Sequence, residues 1–297
     1  MLTGFDLTIG ALLRVFHVRI GLTWAMILIE TGLLAFIPLF VGFAIDGLLS
    51  DSIKELLQLA ALMGLLVVVA VIRRAYDTRV YGTIRVELGK AQVERSSALP
   101  VSALNARFTM GRELVDFLEH TLPEAMAAAV QISIAVAILF VFSPALAAAT
   151  GVAALALLVI YGSFHRRFYR LNGALNSQTE KQVSTLEQRQ PESALRHLLR
   201  LRRMEVSLSD TEAVLYGSVF VVLFGMILFN LWFAATALEI TVGTIFSIIS
   251  YSWEFVDSAL ALPVTLQSWS RLSEIMRRLN DVPRSTPNPT PLIQHPD

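Results

Sequence analysis

Residues 125–164 read AMAAAVQISIAVAILFVFSPALAAATGVAALALLVIYGSF, forty positions without one formally charged side chain. A helix needs roughly 20 apolar residues to cross about 30 Å of hydrocarbon, so this stretch is twice a span. Ser143-Pro144 stands near its middle, a dipeptide that turns the chain and opens a second helix. Further apolar runs lie on either side of it. Residues 20–45 carry one acid, Glu30, and one proline, Pro38, while residues 56–72 and 213–238 carry no charge at all. Residues 241–261 contain Glu254 and Asp257, with Pro263 just beyond. The spacing predicts six transmembrane helices, at about 20–45, 56–72, 125–142, 145–164, 213–238 and 241–261.

Composition agrees. Only 16% of the 297 residues are charged and 55% are hydrophobic, with a mean hydropathy of +0.61; a soluble domain carries about 25% charge. The net charge is zero and there is no cysteine. Those two facts exclude a disulfide scaffold, thiolate or cysteine–zinc chemistry, and nucleic-acid binding through bulk positive charge. The first apolar run is too long for a cleavable signal, and no small-residue cleavage site follows it. We expect one six-helix membrane domain over residues 1–280. Residues 281–297 hold four prolines between Pro283 and Pro291 and are expected to form a disordered cytoplasmic tail.

Lys and Arg set the orientation. With six spans, 23 of the 24 basic residues fall on the side of both termini, and only Lys54 lies opposite. Both termini are therefore expected in the cytoplasm, and the chain in a bacterial inner membrane. The outer connections are short, whereas the inner segments Arg73–Leu122 and His165–Glu212 run to about 50 residues each. Apolar positions at helical spacing, such as Val80, Ile84, Leu88 and Val93, predict that spans two to five continue inward as helices. Pro100 and Pro191 mark the turns. A helix from Arg166 to Gln190 would extend about 37 Å.

This arrangement resembles the transmembrane domain of ABC exporters. Ile37-Pro38-Leu39-Phe40-Val41-Gly42-Phe43-Ala44-Ile45-Asp46 is similar to that family's P-x-x-x-G-x-x-I-D at the outer end of its first helix. Leu99-Pro100, Phe108 and Gly111-Arg112-Glu113-Leu114-Val115 resemble the segment whose short helix docks on the ATPase, with Glu119 where the family usually has Asp. Val242-Gly243-Thr244, Leu262-Pro263 and Ser270-Arg271-Leu272 match its last helix. The likeness covers about residues 15–280. It implies a dimer, of this chain with itself or a paralogue, whose exchanged helices enclose a substrate pathway. It also implies ATPase docking through Phe108, Gly111 and Arg112, and through Arg196 and Leu199 in a second segment, residues 192–205. That second inner segment is shorter than the family's. No G-x-x-x-x-G-K-[ST] loop is present, so the nucleotide-binding ATPase is expected on another chain, and this chain is expected to be no enzyme and to hold no cofactor.

Charged residues within spans are costly and are functional candidates by default. Counting from Ile20 and back from Pro263 sets Glu30 and Glu254 at one depth, about 15 Å above the inner membrane edge. Asp257 follows Glu254 by three residues on the same helix face. In a two-fold dimer six carboxylates would share one low-dielectric level and repel one another. Tyr251 and Trp253 add aromatic surface for a cationic or amphipathic solute. The bland reading is that these acids sit near the interface, bonded to polar neighbours. His120 and Glu124 supply only two ligands, too few for a metal site. No hydrolase motif is present. Two other classes stay open beside an ATPase-driven subunit. One is an ATPase-less, proton-coupled transporter similar to the SbmA/BacA type; the other is a membrane scaffold without a solute path. The bilayer is an expected partner, the transported solute is unspecified, and nucleic acid is not expected.

Overall fold

The structure, a computed structural model, describes residues 9–95, 101–187 and 189–280. Every regular element in that range is helical: α1 Ile9–Leu49, α2 Lys54–Arg95, α3 Val101–Asp116, a π-helical turn Phe117–Thr121, α4 Leu122–Phe142, α5 Pro144–Glu180, α6 Gln182–Glu187, α7 Pro191–Ala237 and α8 Val242–Asn280. Five helices of the described residues are long and apolar enough to cross a membrane. They correspond to the first five expected spans. The sixth expected span falls in α8, which also carries Glu254 and Asp257.

The breaks have local causes. Ser143 caps α5, its hydroxyl accepting from Ala145 N at 3.3 Å while Pro144 occupies the first turn, where a missing N–H costs nothing. Pro191 likewise occupies the first turn of α7, there without a side-chain cap from Gln190. Between α1 and α2 the chain reverses through Asp51, which takes the left-handed conformation at φ 57°, a backbone that Asp tolerates better than most residues. One expectation is corrected. The stretch from Arg166 does not run as a single helix to Gln190. It stops at Glu180, where Lys181 N bonds the carbonyls of Gln178 and Thr179. The six-residue α6 follows, and Arg189 at φ 48° turns the chain into α7. The turn expected at Pro100 lies outside the described residues, as does the proline-rich tail.

The chain divides into two compact units. One takes the described parts of residues 1–31, 65–128 and 261–297. Its core is Leu12 and Ile20 of α1, Tyr81, Ile84, Leu88 and Ala91 of α2, and Leu114, Leu118 and their neighbours. The three-and-four spacing from Tyr81 to Ala91 gives α2 one buried stripe through an otherwise polar stretch. Tyr81 is fully buried, and its hydroxyl donates to Leu118 O at 2.9 Å, within the π-helical turn. The other unit takes residues 32–64 and 129–260. There α5 packs along α7, with Leu146, Ala153 and Leu157 against Leu215, Val219, Leu223 and Met226. At the polar ends of these two helices Gln178 and His197, both buried, bond through their side chains at 2.8 Å.

Candidate functional site

In the second unit the outer half of α1 meets the start of α8 through three positions on each helix, all four residues apart. Pro38, Gly42 and Asp46 lie on one face of α1, and Gly243, Ser247 and Tyr251 on one face of α8. Asp46 accepts from the Thr241 hydroxyl and, at 2.9 Å, from Gly243 N. Its carboxylate thereby satisfies a free N–H in the first turn of α8, where negative charge is favourable. Ser247 donates to Pro38 O at 3.0 Å, and Tyr251, fully buried, donates to Ala35 O at 2.7 Å. Gly42 and Gly243 are in backbone contact. A Cβ on Gly42 would stand 2.5 Å from Gly243 O, and one on Gly243 would overlap Gly42 O. Small residues let membrane helices approach this closely. Asp46 and Thr241 carry this clasp but were not among the expected site residues. The signal was present in the sequence as a proline, a glycine and an acid repeating every four positions.

Below the clasp, α8 presents three faces. Ser252 accepts from Asn230 Nδ2 of α7 at 2.9 Å, and Ser258 donates to Gln131 of α4 at 3.2 Å. Trp253 is exposed and stands edge-on to Phe224 of α7, ring centroids 5.9 Å apart; Phe224 in turn stacks on Phe220 at 5.4 Å. Glu254 is half-buried. Its Oε2 is shielded from solvent and has no hydrogen-bond partner among the described residues. Asp257 is exposed, one turn from Trp253 on the same face. No Lys or Arg pairs with Glu254 or Asp257 among the described residues. Of the expected pocket residues, then, Trp253 and Asp257 are outward, Glu254 is between, and Tyr251 is turned into the α1 contact.

Glu30 belongs to the first unit and has different company. Arg73 of α2 grips its carboxylate with both Nε and Nη2, and gives Nη1 to Asp77 at 3.0 Å. Asp77 is buried beside the equally buried Thr23 of α1. Arg73 is the first charge after the apolar run 56–72, and the partner it gives Glu30 comes from another helix, beyond the reach of counting along α1 alone.

The residues expected to dock an ATPase also separate. Phe108, Arg112, Arg196 and Leu199 are exposed, whereas Gly111 is buried against the Gln92 amide of α2, which a Cβ would overlap. Beneath α3, Arg85 of α2 bonds Asp116 at 2.6 Å and also Glu119. This ties the π-helical turn to α2 and fixes the segment that carries Phe108 and Arg112.

A family described as ABC transporter transmembrane region matches residues 10–243. The match takes in the Pro38–Asp46 motif and the α3 segment and ends at Gly243, the second residue of α8. No curated protein matches the chain.

Proposed function

This chain belongs to the ABC transporter transmembrane region family, and we propose that it forms, as a two-fold dimer with itself or a paralogue, the solute pathway of an exporter-type transporter. As an integral membrane protein of this family it is a membrane transporter subunit, and the matched region is a membrane domain rather than an enzyme domain. In our reading α8 is the sixth span, both termini are cytoplasmic, and the membrane is a bacterial inner membrane. The extensions of α2, α5 and α7 reach an ATPase through Phe108, Arg112, Arg196 and Leu199, with Gly111 seating α3 on α2. That ATPase lies outside these 297 residues, which contain no phosphate-binding loop.

One observation carries the pathway: Glu254 and Asp257 share one stretch of α8 without a counter-ion among the described residues. A bare carboxylate facing lipid at the centre of a helix costs roughly 2.5–3.5 kcal/mol, so this face fits water or a cation better than hydrocarbon. No Lys or Arg occurs between Arg203 and Arg271. The cation must therefore come from another part of the protein or from solution, and Trp253 offers it an aromatic face. Glu30 and Tyr251 support the site without touching solute, the first through Arg73 and the second through Ala35. The same pair of acids favours a second reading, proton-coupled exchange without an ATPase. Pull-down of the tagged full chain separates the two. Co-purification of an ATPase subunit supports the first. A chain that runs alone as a dimer, with transport abolished by Glu254→Gln/Asp257→Asn, supports the second. A strict monomer contradicts both.

A further inference from the structure

The first four arginines after the apolar run of α2 are used unequally by the fold. Arg73 is spent on Glu30 and Asp77, and Arg85 on Asp116 and Glu119. Arg74 and Arg79 are exposed and pair with no carboxylate among the described residues. These two, with Ala70, Val71, Ala75 and Thr78, line an open groove of about 750 Å³. We infer that this groove holds the anionic headgroup of a membrane phospholipid.

Charge, depth and direction all favour a lipid. Side chains on a helix lean toward its N-terminus, and the N-terminal direction of α2 from Arg74 is back into the membrane. Arg79 follows this rule: its Nη1 turns up to donate to Ala75 O at 2.6 Å, one turn nearer the apolar run. The Arg79 guanidinium is thereby turned toward the level where the hydrocarbon ends and phosphates begin, and Arg74 stands five residues nearer the apolar run. Directly above them Val67, Val68, Val71 and Ile72 are exposed, 52–63% of each surface being open, an apolar strip that suits acyl chains. A planar guanidinium fits a phosphate with two parallel hydrogen bonds. A free phosphate would use the same two arginines but would gain nothing from the strip. Lipid binding here requires that α2 crosses the bilayer with this face clear of a dimer partner, and stands apart from any transport.

The test uses the purified full chain in detergent, with native mass spectrometry during titration by phosphatidylglycerol and by phosphatidylcholine of equal chain length. At about fivefold per arginine beside a headgroup, the unaltered protein should prefer phosphatidylglycerol by about 25-fold. Arg74→Gln and Arg79→Gln should each lower that preference about fivefold, and the double substitution should abolish it. Both side chains are exposed and in no ion pair among the described residues, so the single substitutions are expected to fold. Arg166→Gln/Arg167→Gln, which removes two exposed arginines just past the apolar part of α5, should leave the preference intact. Three results would overturn the inference: no preference in the unaltered protein, equal loss in the α5 control, or displacement of the lipid by millimolar glycerol phosphate.

Discussion

Glu30 and the Glu254–Asp257 pair look alike in the sequence, each an acid among apolar helical residues, yet the fold treats them as opposites. Glu30 is held by a two-pronged arginine that also serves Asp77, and the three side chains are 26%, 15% and 7% exposed for Arg73, Glu30 and Asp77. Glu254 has a shielded oxygen with no partner among the described residues, and Asp257 faces outward. The lesson is that an acid inside a span is a question, and its counter-ion is the answer. Where another helix supplies the cation, the acid belongs to the architecture. Where none does, a ligand or a proton has to.

The contrast can be broken first at Arg73. Removing one partner of a buried ion network leaves the others uncompensated, at a cost of about 3–5 kcal/mol when burial is complete. Arg73 is a quarter exposed, so Arg73→Ala should destabilise by about 3 kcal/mol, read as the midpoint of SDS-induced unfolding. Adding Glu30→Gln should recover part of the loss, because it removes one stranded charge. The glycine crossing comes next. Gly243→Ala forces a methyl group into Gly42 O and should cost about 2 kcal/mol in the same assay. Asp46→Ala, which strips the first turn of α8 of its acceptor, should cost about 1 kcal/mol. The smallest effect belongs to Glu254→Gln/Asp257→Asn. No partner is lost, so stability should change by less than about 1 kcal/mol or rise. A loss as large as that of Arg73→Ala would show that this pair, too, is architectural.

Much of the architecture was legible from residue type alone. Forty uncharged residues interrupted by Ser143-Pro144 leave few alternatives to two helices, and Pro191 announces the start of α7. The helical continuation of α2 to Arg95 was legible because Val80, Ile84 and Leu88 keep helical spacing among charges. Two features were not. The stop at Glu180 depends on how Lys181 and Arg189 turn, and neither residue type forbids a helix. The Glu30–Arg73 bond joins positions 43 residues apart, and counting along one helix cannot find a partner on another. The α1–α8 clasp lay between these extremes. Pro38, Gly42, Asp46 and Gly243 were visible in the family's motifs, but that the first three face Gly243, Ser247 and Tyr251 emerges only when both helices are in place.

Carboxyl labelling separates the two kinds of acid in one experiment. An apolar carbodiimide such as dicyclohexylcarbodiimide reaches carboxyl groups from within the membrane and reacts poorly with one locked in an ion pair. The full chain in lipid nanodiscs would be treated at neutral pH and its adducts mapped by mass spectrometry. We expect adducts at Glu254 or Asp257 and none at Glu30, with Glu30 becoming reactive once Arg73→Ala removes its counter-ion. Labelling of Glu30 in the unaltered protein as fast as at Glu254 and Asp257, or an α8 pair that stays silent, would contradict the division between paired and unpaired acids.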